Sequence, residues 1–354
     1  PDTGQSSCLD TDAGYYVDST GSDSQTECAV GTYQPSTAQS SCLDADAGYY
    51  VGSTGSTVQT ECAVGTYQPS TAQSSCLDAD AGYYVDSTGS DSQTECAVGT
   101  YQPDTGESSC LDSDAGYYVD STGSDSQTEC AVGTYQPDTG ESSCLDSDTG
   151  YYVDSTGSDS QTECTVGTYQ PSTGQSSCLD ADAGYYVDST GSDSQTECAV
   201  GTYQPSTGQT DCLDADAGYY VDSTGSDSQT ECAVGTYQPS TAQSSCLDAD
   251  AGYYVDSTQA TSQTACLIGT YQPSTGQSSC LDSDAGYYVD STGSDSQTEC
   301  TVGTYQPSTG QSSCLDSDSG YYVDSTGSDS QTECAVGTYQ PSTGQTDCLD
   351  ADVG

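Results

Sequence analysis

The sequence predicts an all-β protein in which small, disulfide-stapled hairpin modules stack into an elongated tandem-repeat rod. Three observations lead to this prediction. The Cys, Gly and Tyr positions recur with a fixed period, 21 of the 354 residues are cysteine, and short strand-forming segments alternate with turn residues. No stretch shows helical periodicity.

The composition is far from that of an ordinary globular domain. The chain has 55 acidic residues, no Lys, Arg or His, and few large aliphatic side chains. Composition alone therefore predicts disorder. The strict periodicity of Cys, Gly and Tyr opposes that reading, because a chain without a large core can be ordered when it is cross-linked and stacked on itself.

The 34-residue repeat contains a smaller one. A shift of half its length places Gly31-Thr32-Tyr33 over Gly48-Tyr49-Tyr50, so each repeat consists of two related half-modules. We interpret residues 1–354 as one continuous array of about ten repeats, which begins and ends mid-repeat and has no separate catalytic domain. The array is expected to be an excerpt of a longer secreted chain.

The cysteines are expected to form disulfides, since the chain has no His and no CxxC pair for zinc. Under the half-repeat shift, Cys28 falls on Ala45 and Cys42 falls on Gln59. If one half-module has lost a whole disulfide, both of its cysteines should be replaced together. The replacement of both positions therefore favours bridges of the Cys28–Cys42 type. The predicted disulfide cysteines are Cys28, Cys42, Cys62, Cys76, Cys96, Cys110, Cys130, Cys144, Cys164, Cys178, Cys198, Cys212, Cys232, Cys246, Cys266, Cys280, Cys300, Cys314, Cys334 and Cys348.

A rival pairing uses the longer spacing between successive cysteines, beginning with Cys8–Cys28. Counting does not separate the two, because the first leaves Cys8 without a partner and the second leaves Cys348. Each loop of the Cys28–Cys42 type should stabilise the fold by roughly 3 kcal/mol. This is too little to order a whole repeat, so neighbouring modules must supply further contacts.

Each half-module is predicted to be a small β-hairpin. Strand-forming Gly-Thr-Tyr-Gln and Gly-Tyr-Tyr-Val segments precede turns such as residues 35–38 and 18–21, and a polar return follows. Tyr33 and Tyr50 occupy equivalent positions, so a ladder of tyrosines is the expected aromatic core. Ligand stacking and dityrosine cross-links are the alternatives for these side chains.

Residues 164–178 read Cys-Thr-Val-Gly-Thr-Tyr-Gln-Pro-Ser-Thr-Gly-Gln-Ser-Ser-Cys. This motif resembles the cysteine-rich repeats of the ephrin-receptor-like type, which are akin to tumour-necrosis-factor-receptor modules. The resemblance covers the whole chain and implies an extracellular, β-rich rod. The family pattern has Cys at the positions of Ala45 and Gln59. Alternate modules of this array lack both cysteines, so the array has half the disulfides that the family pattern implies.

The acidic residues suggest one metal site. Asp44 and Asp46 lie on the same face of an extended segment and are candidates for weak Ca²⁺ binding, although the spacing does not match an EF-hand. The alternative is a solvated acidic surface. No firm metal site and no other cofactor are expected.

Several functions are excluded by residue type. Without His there is no nucleophilic triad, and near-identical repeats offer no unique cleft for paired carboxylates, so no catalytic residues and no enzyme activity are expected. Without cations the chain cannot neutralise phosphates, which excludes nucleic acid. No apolar run approaches about 18 residues, so no membrane span and no leader are visible in this segment.

Exposed threonines in the turns are candidates for O-linked glycans, with ordinary turn preference as the alternative. Asn is absent, so N-linked glycans are excluded. The candidate positions are Thr37, Thr54, Thr71, Thr88, Thr105 and Thr122.

These properties indicate an acidic structural protein outside the cell or on its surface. The expected form is a fibre, stalk or surface filament. Copies of the chain are expected to self-associate into a fibre or bundle. The alternatives are the stalk of an adhesin or receptor-like binding ectodomain, and an acidic calcium-binding matrix protein. A distinct terminal domain would favour the stalk.

Overall fold

The computed structural model describes residues 7–351, so residues 1–6 and 352–354 of the predicted array lie outside the described part. The described residues contain two-residue strands joined as antiparallel hairpins, and they contain no helix. The prediction of an all-β fold with repeated hairpins and regularly spaced disulfides is confirmed. The rod shape stays a prediction.

One class of hairpin, the tyrosine hairpins, pairs a Tyr-Tyr strand with a Thr-Glu strand. The first strands are Tyr15–Tyr16 (β1), Tyr49–Tyr50 (β5), Tyr83–Tyr84 (β9), Tyr117–Tyr118 (β13), Tyr151–Tyr152 (β17), Tyr185–Tyr186 (β21), Tyr219–Tyr220 (β25), Tyr253–Tyr254 (β29), Tyr287–Tyr288 (β33) and Tyr321–Tyr322 (β37). The second strands are Thr26–Glu27 (β2), Thr60–Glu61 (β6), Thr94–Glu95 (β10), Thr128–Glu129 (β14), Thr162–Glu163 (β18), Thr196–Glu197 (β22), Thr230–Glu231 (β26), Thr264–Ala265 (β30), Thr298–Glu299 (β34) and Thr332–Glu333 (β38).

The other class, the cystine hairpins, alternates with the first. Its first strands are Thr32–Tyr33 (β3), Thr66–Tyr67 (β7), Thr100–Tyr101 (β11), Thr134–Tyr135 (β15), Thr168–Tyr169 (β19), Thr202–Tyr203 (β23), Thr236–Tyr237 (β27), Thr270–Tyr271 (β31), Thr304–Tyr305 (β35) and Thr338–Tyr339 (β39). The second strands are Leu43–Asp44 (β4), Leu77–Asp78 (β8), Leu111–Asp112 (β12), Leu145–Asp146 (β16), Leu179–Asp180 (β20), Leu213–Asp214 (β24), Leu247–Asp248 (β28), Leu281–Asp282 (β32), Leu315–Asp316 (β36) and Leu349–Asp350 (β40).

Each disulfide ties the turn of a cystine hairpin to the end of the preceding tyrosine hairpin. Each of the ten bridges has a sequence separation of 14, with Cα atoms 5.7–5.8 Å apart, and none of them has the longer rival spacing. Within the described residues Cys8 has no partner, and its thiol is exposed. In each bridge the first cysteine directly follows the second strand of a tyrosine hairpin, where the Cys28 amide donates to the Gly14 carbonyl at 2.9 Å, and the second cysteine directly precedes the second strand of the next cystine hairpin. The bridge therefore links the end of one hairpin to the turn of the next.

The buried positions hold Cys, Ala, Ser, Val or Gln rather than an aromatic residue. Cys28 and its equivalent Ala45 are fully buried, Val51 is 2% exposed, and its equivalent Gln34 is 4% exposed. The paired tyrosines are only half-buried. The prediction of a tyrosine core is therefore wrong, because the fully enclosed space between hairpins is filled by Cys, Ala, Ser, Val and Gln side chains and the tyrosines stay partly exposed.

The contacts divide the chain into two units, each built from the same hairpins. The first takes in Pro1–Cys164, Gln170–Leu179 and Gly191–Asp193. The second takes in Thr165–Tyr169, Asp180–Thr190 and Ser194–Gly354.

Candidate functional site

The feature that recurs throughout the described chain is a junction between successive hairpins, built from backbone hydrogen bonds. The Gly31 amide donates to the Val51 carbonyl at 2.8 Å, and the Gln34 amide donates to the Ser56 carbonyl at 3.0 Å. These bonds link a cystine hairpin to the tyrosine hairpin that follows it. We call this arrangement the hairpin junction.

The same junction joins each tyrosine hairpin to the following cystine hairpin. The Gly48 amide donates to the Gln68 carbonyl at 2.8 Å, and the Val51 amide donates to the Gln73 carbonyl at 3.0 Å. The structural period is therefore a single hairpin, although the disulfides recur only in every second hairpin. Because backbone groups carry these bonds, side-chain differences between the two classes leave the junction intact.

A third bond reaches one hairpin further. The Gly55 amide donates to the Cys28 carbonyl at 2.9 Å, and the Ala72 amide donates to the Ala45 carbonyl at 2.8 Å. A hairpin is thus held by its second neighbour as well as by its first. Such local, repeated pairing supplies contacts that the disulfides alone do not provide.

Glycine at the start of each hairpin is required by this close packing. Gly31 has φ +84°, and a Cβ built on it would overlap the carbonyl oxygen of Ala72. Neither the backbone angle nor the space suits another residue there. The turn glycines are less constrained, since Ala38 and Ala72 occupy that position with φ 55° and 60°.

A pair of hydrogen bonds takes the place of the missing disulfide in the tyrosine hairpins. The Gln59 side chain accepts from the Asp46 amide at 2.8 Å and donates to the Asp46 carboxylate at 2.8 Å. Gln93 holds Asp80 in the same way, with both distances 2.7 Å. These bonds therefore link the tyrosine hairpin to the end of the preceding cystine hairpin, next to the equivalents of the bridged positions and without a covalent bond.

The other lost cysteine position is filled by Ala or by a buried Ser. Ser113 is fully buried, and its hydroxyl accepts from the Glu141 amide at 3.0 Å and donates to the Glu141 carbonyl at 3.2 Å. Ser147 makes the equivalent bonds to Gln175. A polar side chain is tolerated here because both of its hydrogen bonds reach the next cystine hairpin.

Each tyrosine hairpin with Glu on its second strand can pair a phenol with a carboxylate. The Tyr49 hydroxyl donates to Glu61 at 3.3 Å, and the Tyr151 hydroxyl donates to Glu163 at 3.0 Å. The negative charge of Glu61 raises the pKa of Tyr49, and the hydrogen bond to Glu163 raises the pKa of Tyr151. These pairs favour the neutral phenol.

The candidate glycan acceptors fall into two groups. Thr37, Thr71 and Thr105 are exposed in the turns that follow Pro. Thr54, Thr88 and Thr122 are also exposed, but the hydroxyls of the last two donate to Glu61 at 3.0 Å and to Glu95 at 2.9 Å. A sugar on either of those two hydroxyls would replace an existing hydrogen bond, and glycosylation itself stays a prediction.

The two candidate calcium ligands, Asp44 and Asp46, have different surroundings. Asp44 lies on β4 opposite Thr32, whereas the carboxylate of Asp46 accepts from Gln59. Among residues 7–351 there is no group of three or more His, Cys, Asp or Glu side chains placed to hold a metal ion. Calcium binding at Asp44 and Asp46 stays a prediction.

The surface has a shallow pocket of about 390 Å³ lined by residues that include Tyr84, Glu95 and Cys110. Each of these positions recurs in other repeats, so the pocket does not mark a unique cleft. Within the described part, no helix is long and apolar enough to cross a membrane.

The fold and its junctions define a class of protein, the disulfide-stapled tandem β-repeats. A family model described as "Tyrosine-protein kinase ephrin type A/B receptor-like" matches residues 82–130, 116–164, 150–198, 184–232, 252–300 and 286–334. These matches cover more than half of the chain, and the chain belongs to this family. Each match runs from a junction glycine to a bridged cysteine. A search of curated proteins finds no match to the chain.

Sequence reasoning missed two parts of the site. It read Gln59 as the trace of a lost cysteine and did not foresee its bonds to Asp46. The signal was present, since Asp46 and Gln59 recur together in every repeat as Asp80 with Gln93 and so on. The junction bonds between backbone groups have no comparable signature beyond the glycines.

Proposed function

We propose that this chain is a structural extracellular repeat protein that forms a fibre, stalk or surface filament. One observation carries the proposal: the same backbone bonds join each hairpin to the next within both units. Repetition of one junction gives length without requiring a distinct catalytic or binding domain.

The proposed location is outside the cell or on its surface. Ten disulfides are stable in an oxidising compartment, and repeats of this family are typical of extracellular domains. Repeats of this family are also non-catalytic structural modules, which supports a protein without enzyme activity.

The proposal includes O-linked glycans at turn threonines. The Pro-following threonines, represented by Thr37 and Thr71, are the better acceptors, because a sugar on Thr88 or Thr122 would displace a hydrogen bond to a glutamate. Glycans there would hold neighbouring chains apart. An intact mass above 36.2 kDa for the secreted chain, with sugar mapped to Thr37-type peptides, supports this part. An intact mass equal to the polypeptide contradicts it.

The filament proposal is tested by electron microscopy of the purified chain and of a matched variant with residues 116–217 deleted, which removes three repeats in register. We expect elongated particles whose mean length falls in proportion to the number of repeats. Reduction of the disulfides is the control, since it should disorder the particles. Globular particles, with a radius of gyration near the roughly 20 Å of a compact chain of this size, would contradict the proposal.

A further inference from the structure

One tyrosine hairpin differs from the others along its exposed edge, residues 259–268. Ala265 stands on β30 where the other tyrosine hairpins carry Glu, and Thr261 stands where most carry Asp. Leu267 and Ile268 replace the Ala-Val or Thr-Val of the other repeats. The glutamates at the position of Ala265 are Glu27, Glu61, Glu95, Glu129, Glu163, Glu197, Glu231, Glu299 and Glu333.

These substitutions leave the backbone of the hairpin unchanged. The Gln259 amide donates to the Cys232 carbonyl at 3.0 Å, and the Thr270 amide donates to the Leu267 carbonyl at 3.0 Å. Equivalent bonds at 2.8–3.0 Å are present in the ordinary repeats. The altered residues are therefore not needed to build the junction, and their effect lies at the surface.

At the surface of this hairpin, two acidic residues are lost and two larger aliphatic side chains are exposed. The hairpin of Tyr49–Tyr50 shows a smaller change of the same kind, with Gly52 and Thr57 in place of two aspartates and with Val58 exposed, but it keeps Glu61. Leu267 is 69% exposed and Ile268 is 52% exposed. Opposite Tyr253, Ala265 offers no carboxylate to the phenol. Asp250 and Asp256 remain on the same hairpin and are exposed, so acidic side chains accompany the apolar residues. An apolar patch with a polar border is the usual composition of a protein contact.

We propose that residues 259–268 form a contact at which a second copy of this chain docks through the same residues. Charge identifies the occupant. A cationic partner would be attracted by the many acidic positions elsewhere, and the removal of two acids at this edge works against such a partner. Removal of acids is what the approach of another strongly acidic surface requires. The net charge of −55 makes a second copy that surface.

The contact pairs chains rather than extending them. Two copies that meet through the same residues make an isologous contact, which closes on itself. Two large aliphatic side chains from each copy bury a small area, so the pair is weak. The inference rests on the proposed function, because this contact is proposed to join two filaments side by side.

The test is sedimentation equilibrium of the purified chain over a range of NaCl concentrations. The matched variant restores the ordinary residue at three of the altered positions, with Ala265→Glu, Leu267→Ala and Ile268→Val. The control is Val200→Ala, which trims an exposed side chain at the position of Ile268 in an ordinary repeat. Non-reducing peptide maps of all three proteins establish that the disulfides are unchanged.

We expect a monomer–dimer equilibrium that strengthens with NaCl, because salt screens the remaining acids. The restored variant should have a dimer dissociation constant at least tenfold higher, and the control should match the parent. The proposal is overturned if the parent is monomeric up to about 1 mM, the range of the weakest measurable association. It is also overturned if the restored variant dimerises as well as the parent, or if a different protein, and not a second copy, occupies the edge. Elongated single particles of the restored variant in micrographs would leave the filament proposal standing in each of these cases.

Discussion

At the scale of single residues, the junction glycines and the turn glycines differ in the space that surrounds them. Gly133 begins a cystine hairpin with φ +89°, and a Cβ there would overlap the carbonyl oxygen of Gly174. Gly140 lies in the turn of the same hairpin, where the nearest atom to a Cβ is 3.5 Å away in the side chain of Asp112. Equivalents of Gly140 are alanine in three repeats, at Ala38, Ala72 and Ala242.

These differences predict unequal costs for the same substitution. Gly140→Ala should cost about 1 kcal/mol, the strain of alanine at positive φ. Gly133→Ala should cost more than about 3 kcal/mol, because the added methyl group meets backbone that cannot move without breaking the junction. Limited proteolysis with a Glu-specific protease measures the local opening, and we expect faster cleavage near the substitution for Gly133→Ala. Equal cleavage rates for the two variants would contradict the close approach.

The tyrosine–glutamate pairs predict a difference in alkaline titration. Glu299 accepts from the Tyr287 hydroxyl at 3.2 Å and raises the pKa of Tyr287. A phenol whose pKa is raised in the folded state contributes stability that is complete below its ordinary pKa near 10, and this contribution is lost as the pH rises through the raised value. The paired tyrosines should therefore ionise at a pH above the ordinary pKa of tyrosine.

Phenolate absorbance measures the pH at which these tyrosines ionise. Glu299→Gln removes the carboxylate charge, so one tyrosine fewer should ionise in the late part of the titration. Ala265→Glu is the reciprocal variant, since it places a carboxylate opposite Tyr253 and should add one late-ionising tyrosine. Superimposable titration curves for the two variants and the parent would show that the carboxylates do not control these phenols.

At the scale of the hairpin, two kinds of cross-link, a disulfide and a pair of hydrogen bonds, hold the same backbone conformation. A disulfide ties each cystine hairpin to the preceding tyrosine hairpin, and two hydrogen bonds between a Gln and an Asp, as at Gln93 and Asp80, tie each tyrosine hairpin to the preceding cystine hairpin. The positions of Ala79 and Gln93 correspond to those of Cys62 and Cys76, whose Cα atoms are 5.7 Å apart. The structure therefore has room for a bridge that this sequence lacks.

Restoring both cysteines should form that bridge. We expect the double variant Ala79→Cys with Gln93→Cys to form an additional disulfide and to gain about 3 kcal/mol, the value for a loop of this length. Intact mass and thiol titration detect the bridge, and chemical denaturation measures the gain. Ala79→Cys alone is the control, because it should leave a titratable thiol. Persistent free thiols in the double variant would mean that tyrosine hairpins close differently from cystine hairpins.

The sequence was sufficient for the hairpins but not for what holds them together. Strand-forming Gly-Thr-Tyr and Gly-Tyr-Tyr segments followed by turn residues specified the local hairpins, and the half-repeat shift revealed that the classes are equivalent. The core escaped prediction because tyrosine is the largest apolar side chain available, whereas burial depends on the space between neighbouring backbones. That space admits Cys, Ala, Ser, Val and Gln.

At the scale of the whole chain, stability should be a sum of similar local terms. Each hairpin bonds to its first and second neighbours through backbone groups that do not depend on the local side chains. In such repeats, loss of one junction affects its neighbours rather than the entire chain. Substitutions such as Gly133→Ala should therefore leave distant repeats intact, which is the behaviour expected of a durable filament.

The central claim is that tyrosine hairpins, whose turns carry no cysteine, are as firmly built into the array as cystine hairpins. Hydrogen exchange of backbone amides tests it directly, because the near-identical repeats yield peptides that report each class as an average. We expect the junction amides represented by Gly48 and Val51 to be protected to a similar degree as those represented by Gly31 and Gln34. Exchange of the tyrosine-hairpin amides at the rate of an unstructured chain, while the cystine-hairpin amides stay protected, would contradict the account.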